Sequence, residues 1–358
     1  MNQSTIDKAT YGQLPDGRTA DLYTLRNTAG MTVAITNYGG TIVALMTPDK
    51  AGTLEDVTLG FDSLAGYTAN RTFFGALIGR YGNRIAKGNF TLDGQPFSLA
   101  TNNMGNHLHG GIVGFDRVLW TATPITGDEP ALKLTYLSAD CEEGYPGNLL
   151  VTVTYTLLKD NALAVDYQAT TDKPTVVNLT NHTFFNLTGG VKRDVLDHVL
   201  TIYADQLVPV DETLIPTGQL MPVAGTPFDF IKPTPIGDHI GDADEQLTYG
   251  LGYDHCWVAT DSRPALKLIA TVLEPNSGRV MDVETTEPAI QCYTGNFLDG
   301  SVTGREGFPY KKRHALCLET EHYPDSPNHP AFPTTTLRPG ETYRSTTVYR
   351  FSVRNDPA

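Results

Sequence analysis

Residues 149–170, LLVTVTYTLLKDNALAVDYQAT, decide the fold class of this chain. Between Leu149 and Leu158, Val151, Val153, Tyr155 and Leu157 alternate with Thr152, Thr154 and Thr156. A period of two sends the apolar and the hydroxyl sets to opposite faces of a strand. Lys159-Asp160-Asn161 reads as a turn, and alternation resumes from Ala162 to Thr170, so the pair is predicted to be an antiparallel hairpin with one face in a core.

Outward from this hairpin the same period predicts strands at Thr32–Thr36, Ile42–Thr47, Leu132–Leu137, Leu266–Leu273, Val280–Thr285 and Tyr343–Val353. A helical period is scarce; the helix pieces expected are short, as around Ser63–Thr68. With 34 Gly and 23 Pro between the strands, the chain is all-β, a sandwich or a barrel rather than an α/β fold. No internal repeat or linker-like shift in composition divides it, so a single domain is expected over residues 1–358, with a core from about 11 to 353.

At 358 residues the core can be sizeable. A formal charge of −14 without a basic run argues against nucleic acid, which needs clustered Lys and Arg. No apolar run approaches the roughly twenty residues of a membrane helix. The start, MNQSTIDKATYGQL, lacks the charged start and apolar segment of a secretory signal, as an already trimmed chain also would. Cys141, Cys256, Cys292 and Cys317 show no CxxC spacing and sit beside apolar neighbours. They are expected to be buried free thiols in a reducing compartment, which makes the cytoplasm the default location.

Chemistry concentrates between Gly75 and Trp120, GALIGRYGNRIAKGNFTLDGQPFSLATNNMGNHLHGGIVGFDRVLW. Asn89–Leu92 and Pro96–Leu99 flank Asp93-Gly94, a pair suited to a tight hairpin turn. Arg84 should precede one strand and His109 follow its partner, so polar groups at both ends of a rigid hairpin can converge on a ligand. From the residues alone, Asn83, Arg84 and His109 read equally as a turn former, a surface charge and a loop histidine. His107-Leu108-His109 has a metal-binding spacing, but no third ligand is identifiable, and no metal is expected.

The segments GRYGNRIAKGNFTLDG, NHLHGG and GFDRVLW, then NLTNHTFFNL (178–187), GYDHCW (252–257), IQCYTGNFLDG (290–300) and CLETEHYPDSPNHP (317–330), resemble, in this order, the galactose mutarotase (aldose 1-epimerase) family. The resemblance runs from about Tyr11 to Phe351. It implies a large antiparallel β-sandwich of the galactose mutarotase-like type with a sugar cleft, and interconversion of the α and β anomers of free hexoses such as galactose and glucose. Opening a cyclic hemiacetal needs one base and one acid, without metal or cofactor. By resemblance Glu319 is the base on the anomeric hydroxyl and His182 the acid for the ring oxygen. Asn83, Arg84, Asp254 and Gln291 would hold sugar hydroxyls, His109 another or a place in the acid–base network, and Phe184 could offer a ring face. The partner is then a monosaccharide; monomer and homodimer both fit.

Periodicity leaves Glu319 and Glu321 equivalent, on one face of an apolar strand; only the family pattern selects Glu319. Two positions depart from that pattern: Gly82, where Ala is typical, and Glu321, where Gln is common. A second carboxylate beside Glu319 is expected to alter its pKa. The alternatives are a hexose-6-phosphate 1-epimerase, for which Arg80 and Arg84 would be the cations, and a non-catalytic sugar-binding protein, which would be expected to lack Glu319 or His182.

Overall fold

Alternation in the 149–170 stretch becomes a strand pair in the computed structural model, which describes residues 3–261 and 263–355. The other positions of the expected 1–358 span lie outside the described residues. Leu149–Leu157 pairs antiparallel with Ala162–Thr171, setting Val153 opposite Tyr167 and Leu157 opposite Leu163. Leu149, Val151, Val153, Tyr155 and Leu157 are buried. Asn161 takes a positive φ of 58° in the connecting turn, a conformation Asn tolerates better than most residues.

This hairpin lies within a nine-stranded sheet in the order Thr121–Ile125, Ala131–Ser138, Leu149–Leu157, Ala162–Thr171, Tyr343–Val353, Arg279–Thr285, Lys267–Leu273, Val199–Ile202 and Thr234–Pro235. A six-stranded sheet runs Phe184–Phe185, Leu316–Glu321, Ala289–Tyr293, Asp254–Ala259, Ala204–Val208 and Met221–Pro222. Val151, Val153, Val165 and Met281 from the first share one apolar core with Trp257, Ile290, Leu316 and Leu318 from the second. Two antiparallel sheets packed across one core make a β-sandwich. A five-stranded sheet formed by Thr5–Gln13, Thr19–Arg26, Thr32–Thr36, Ile42–Pro48 and Leu54–Asp56 adds Val33, Ile35 and Ile42 to that core.

The six-stranded sheet positions the chemistry. With Leu316 and Leu318 turned into the core, alternation turns Cys317, Glu319 and Glu321 to the other face. Register sets Gln291 opposite Glu319, and Asp254 lies one strand further over. The Gly75–His109 stretch covers this face. Asn89–Leu92 pairs with Gln95–Ser98 around Asp93-Gly94, whose φ values are 50° and 77°. Below that hairpin Arg84–Ile85 pairs with His107–Leu108, so Arg84, ahead of the Asn89–Leu92 strand, sits in a short strand of its own. Gly110 must be glycine, since a Cβ there would stand 1.8 Å from the Gly79 carbonyl oxygen.

One expectation is corrected. Cys141 is exposed, whereas the other three cysteines are buried free thiols. It occupies a turn at φ 68°, beside Asp140, Glu142 and Glu143, outside the sandwich. The α-helices are short, as expected: Leu64–Ala69 and Glu245–Gly250, the latter capped by the Asp244 side chain accepting from the Gln246 and Leu247 N–H groups.

Candidate active site

A cavity of about 350 Å³ opens between the covering stretch and the outer face of the six-stranded sheet, within the roughly 300–1,000 Å³ of small-molecule sites. Asn83, Arg84, His109, His182, Phe184, Asp254, Gln291 and Glu319 all line it. Residues from five separate segments of chain therefore converge on one space.

His182 ends the Thr180–His182 strand, opposite Ala76 in Ala76–Ile78. Its Nε2 stands 3.5 Å from Glu319 Oε1. Both side chains are buried, and Glu319 Oε2 and His182 Nδ1 have no hydrogen-bond partner among the described residues. Burial lowers the His182 pKa to about 4. It raises that of Glu319 well above the carboxylate range, with the nearby charges of Glu321 and Asp254 adding to the rise and Arg84 opposing it. Desolvation penalises the charged form of each group, whatever its sign.

The His182 ring lies between two phenyl rings, Phe184 with centroids 5.0 Å apart at 21° and Phe73 at 5.7 Å and 23°. Phe184 is only 3% exposed. Its ring packs on His182, and its other aromatic contacts are edge-on with Phe74 and Tyr293; it lines the cavity and holds the imidazole. Phe73 has a positive φ of 58° and was not legible in the sequence, where nothing distinguishes it from Phe74.

His109 and Asn83 bind each other twice. The His109 N–H donates to the Asn83 carbonyl at 3.1 Å, and the Asn83 N–H donates to His109 Nδ1 at 3.0 Å. Burial keeps His109 neutral, its pKa lowered well below the ordinary value. With Nδ1 accepting, the ring proton sits on Nε2, so His109 offers a donor. His109, His182 and Glu319 hold ligand atoms within 4.8 Å of one another, but this tautomer leaves His109 no free lone pair for a cation. His107 points elsewhere, its ring nitrogens 2.7 Å from the Ala100 carbonyl and 2.5 Å from the Tyr145 hydroxyl. The HxH pair thus does not converge, because the strand ends at Leu108 and His109 turns with φ 50°.

On the sheet, Gln291 Nε2 donates to Asp254 Oδ1 at 2.8 Å, leaving Gln291 Oε1 as a buried free acceptor. Arg84 Nη2 lies 3.9 Å from Asp254 Oδ2, and its Nε donates to Asn103 Oδ1. Donors and acceptors thus alternate along the cavity wall, as recognition of a polyol requires. Arg80, the second cation of the phosphate alternative, does not reach the cavity. Its guanidinium donates to Ser138 Oγ and to the carbonyls of Pro146, Gly147 and Ala139.

The Aldose 1-epimerase family model matches residues 21–350. The chain belongs to the aldose 1-epimerase family. It is 46% identical over 351 residues to the galactose mutarotase of Mus musculus, covering 98% of this chain and 99% of that one. To the aldose 1-epimerase of Escherichia coli strain K12 it is 41% identical, over 94% of this chain and 96% of that one. The solved galactose 1-epimerase of Lactobacillus acidophilus superimposes with a TM-score of 0.87 at 29% identity, over 98% of this chain and 99% of that one. A homologue from C. elegans superimposes with a TM-score of 0.86 at 31% identity, over 94% and 100%. The enzyme is thus an isomerase on an antiparallel β-sandwich, with a sugar as its substrate. Among the described residues no helix is long and apolar enough to cross a membrane.

Proposed function

We propose that this enzyme interconverts the α and β anomers of free hexoses, galactose and glucose among them, with Glu319 as the base on the anomeric hydroxyl and His182 as the acid for the ring oxygen. The observation that carries this assignment is the buried Glu319–His182 pair, 3.5 Å apart, each with an unpartnered atom in a cavity walled by polyol-binding groups.

In ring opening the anomeric O–H proton passes to the Glu319 carboxylate, the bond between C1 and the ring oxygen breaks, and that oxygen takes the proton of the His182 imidazolium. After rotation about the C1–C2 bond, closure on the other aldehyde face reverses both transfers. The pair holds one proton before and after each step. Burial favours the carboxylic acid and the neutral imidazole, which is the state that ring opening produces. Lowering the His182 pKa from 6.5 to about 4 contributes about 3 kcal/mol in that direction. His109 Nε2–H, Asn83, Arg84, Asp254 and Gln291 hold the hydroxyls and fix the orientation of the sugar.

The name of the mouse relative supports galactose as a substrate. A 6-phosphate is disfavoured, because Arg80 spends its donors inside the protein, Arg84 faces Asp254, and Arg71, also on the cavity wall, donates to the Gly111 carbonyl. The three buried free thiols fit a reducing compartment such as the cytoplasm.

Polarimetry on freshly dissolved α-D-galactose and α-D-glucose tests the reading. Rapid approach to the final rotation with wild type, and loss of that acceleration in Glu319→Gln, is the expected result. Equal rates in the two proteins would remove Glu319 from the base role.

A further inference from the structure

Glu321 is fully buried on the same strand face as Glu319, yet the acid–base step above does not use it. Its Oε1 accepts from Asn83 Nδ2 at 2.8 Å, while Oε2 has no hydrogen-bond partner among the described residues. Space for this carboxyl comes from Gly82, where a Cβ would stand 3.2 Å from Oε2. Through Asn83 the carboxyl connects to His109, whose Nδ1 accepts from the Asn83 N–H.

We propose that Glu321 is a positioning residue with two linked effects: its charge keeps a proton on the Glu319–His182 pair as the pH rises, and its Oε1 clamps Asn83 and so holds His109 as an Nε2–H donor. The proposal rests on the reading of Glu319 as the base.

Burial comes first among the causes that raise both carboxyls above their ordinary range, and for Glu319 the Glu321 charge comes second. The ionisable surroundings of Glu321 are Glu319 on its own strand, Asp254 and Cys256 on the next strand but one, Tyr81 and Arg84 from the covering stretch, and Glu287. Glu287 is in turn paired with His322 at 2.5 Å. Acids outnumber cations here, and Arg84 is shared with Asp254. Two buried carboxyls in such surroundings ionise in succession, not together. Asn83 donates to Glu321 and stabilises its ionised form, so Glu321 loses its proton first and its charge holds the proton of Glu319 to higher pH.

The active pair carries one proton; activity falls at alkaline pH when that proton leaves. Glu321→Gln keeps the Asn83 acceptor and the side-chain shape but removes the charge. In kcat/KM against pH, its alkaline limb is expected to move toward lower pH by about one unit, the scale of coupling between neighbouring titrating groups, with kcat near pH 6.5 within a few-fold of wild type. An alkaline limb coincident with wild type would overturn the proposal. A second measurement is independent of turnover: with ¹³C-labelled Glu side chains, the Glu319 resonance, assigned from Glu319→Gln, should titrate at lower pH once Glu321 is replaced. An unmoved titration would also overturn it. Activity surviving in Glu319→Gln would instead refute the base assignment while leaving the carboxyl titration to decide on the coupling.

Discussion

The Leu149–Leu157 strand and the Leu316–Glu321 strand belong to the two sheets of one sandwich, yet they handle their second faces differently. In the first, apolar side chains fill the core and Leu150 together with the threonines faces outward, half-buried or exposed. In the second, all six residues are buried, because the Gly75–His109 stretch covers the outer face. The contrast teaches where the chemistry comes from. A strand with one wet face spends its polar residues on water, whereas a strand buried twice holds its carboxyls out of water, and their protonation becomes adjustable.

Variants can break that contrast, and the largest effect is expected on the doubly buried strand. Glu319→Gln should lower kcat by about 10²–10⁴-fold, the range for a lost general base, with sugar binding, followed by the quenching of intrinsic fluorescence, little changed. His182→Asn should lose a similar factor; an unchanged rate would move the acid role to His109. On the first strand Leu157→Ala should cost about 2–5 kcal/mol of stability for a core leucine, read by urea unfolding, and leave kcat per folded molecule intact because Leu157 is remote from the cavity lining.

Stability against pH sharpens the same comparison. The folded-state pKa of Glu319 is raised, so the folded protein binds this proton more tightly than the unfolded chain does. The resulting stability is full below the ordinary carboxylate range and is lost as the pH climbs through the raised value. Glu319→Gln has no such loss, so its melting temperature relative to wild type should rise between pH 5 and 9 in calorimetry. A difference that stays flat with pH would mean the carboxyl is not held protonated. The smallest effect is expected from Thr154→Ala on the outer face of the first strand, within about 0.5 kcal/mol and with no change in the pH profile.

Legibility followed the number of wet faces. Wherever one face met solvent, as at Leu149–Leu157, Thr32–Thr36 and Tyr343–Val353, alternation read the strand to within a residue or two. Where both faces were buried, alternation vanished, and Glu319 and Glu321 could be separated only by their resemblance to the family. Phe73 left no signal, because its packing on His182 arises from chain folded back from more than one hundred residues away. Cys141 was misjudged because its buried or exposed state depends on where the turn emerges from the sheet, and not on its neighbours in sequence.

The amino-acid sequence by itself determined the all-β class, the turn at Asp93-Gly94, the hairpin at 149–170 and the presence of every chemical group the reaction needs. These are local properties, set by side-chain periodicity and by the backbone preferences of Gly, Asn and Asp. Tertiary structure alone decided which carboxyl meets which histidine, which nitrogen of His109 carries the proton, and that Arg80 is spent on Ser138 and nearby carbonyls. Each of these depends on contacts between segments far apart in the chain, as when Asn83 reaches Glu321 across 238 residues. No local preference encodes such a distance; only the packing of one sheet face under its covering stretch fixes it.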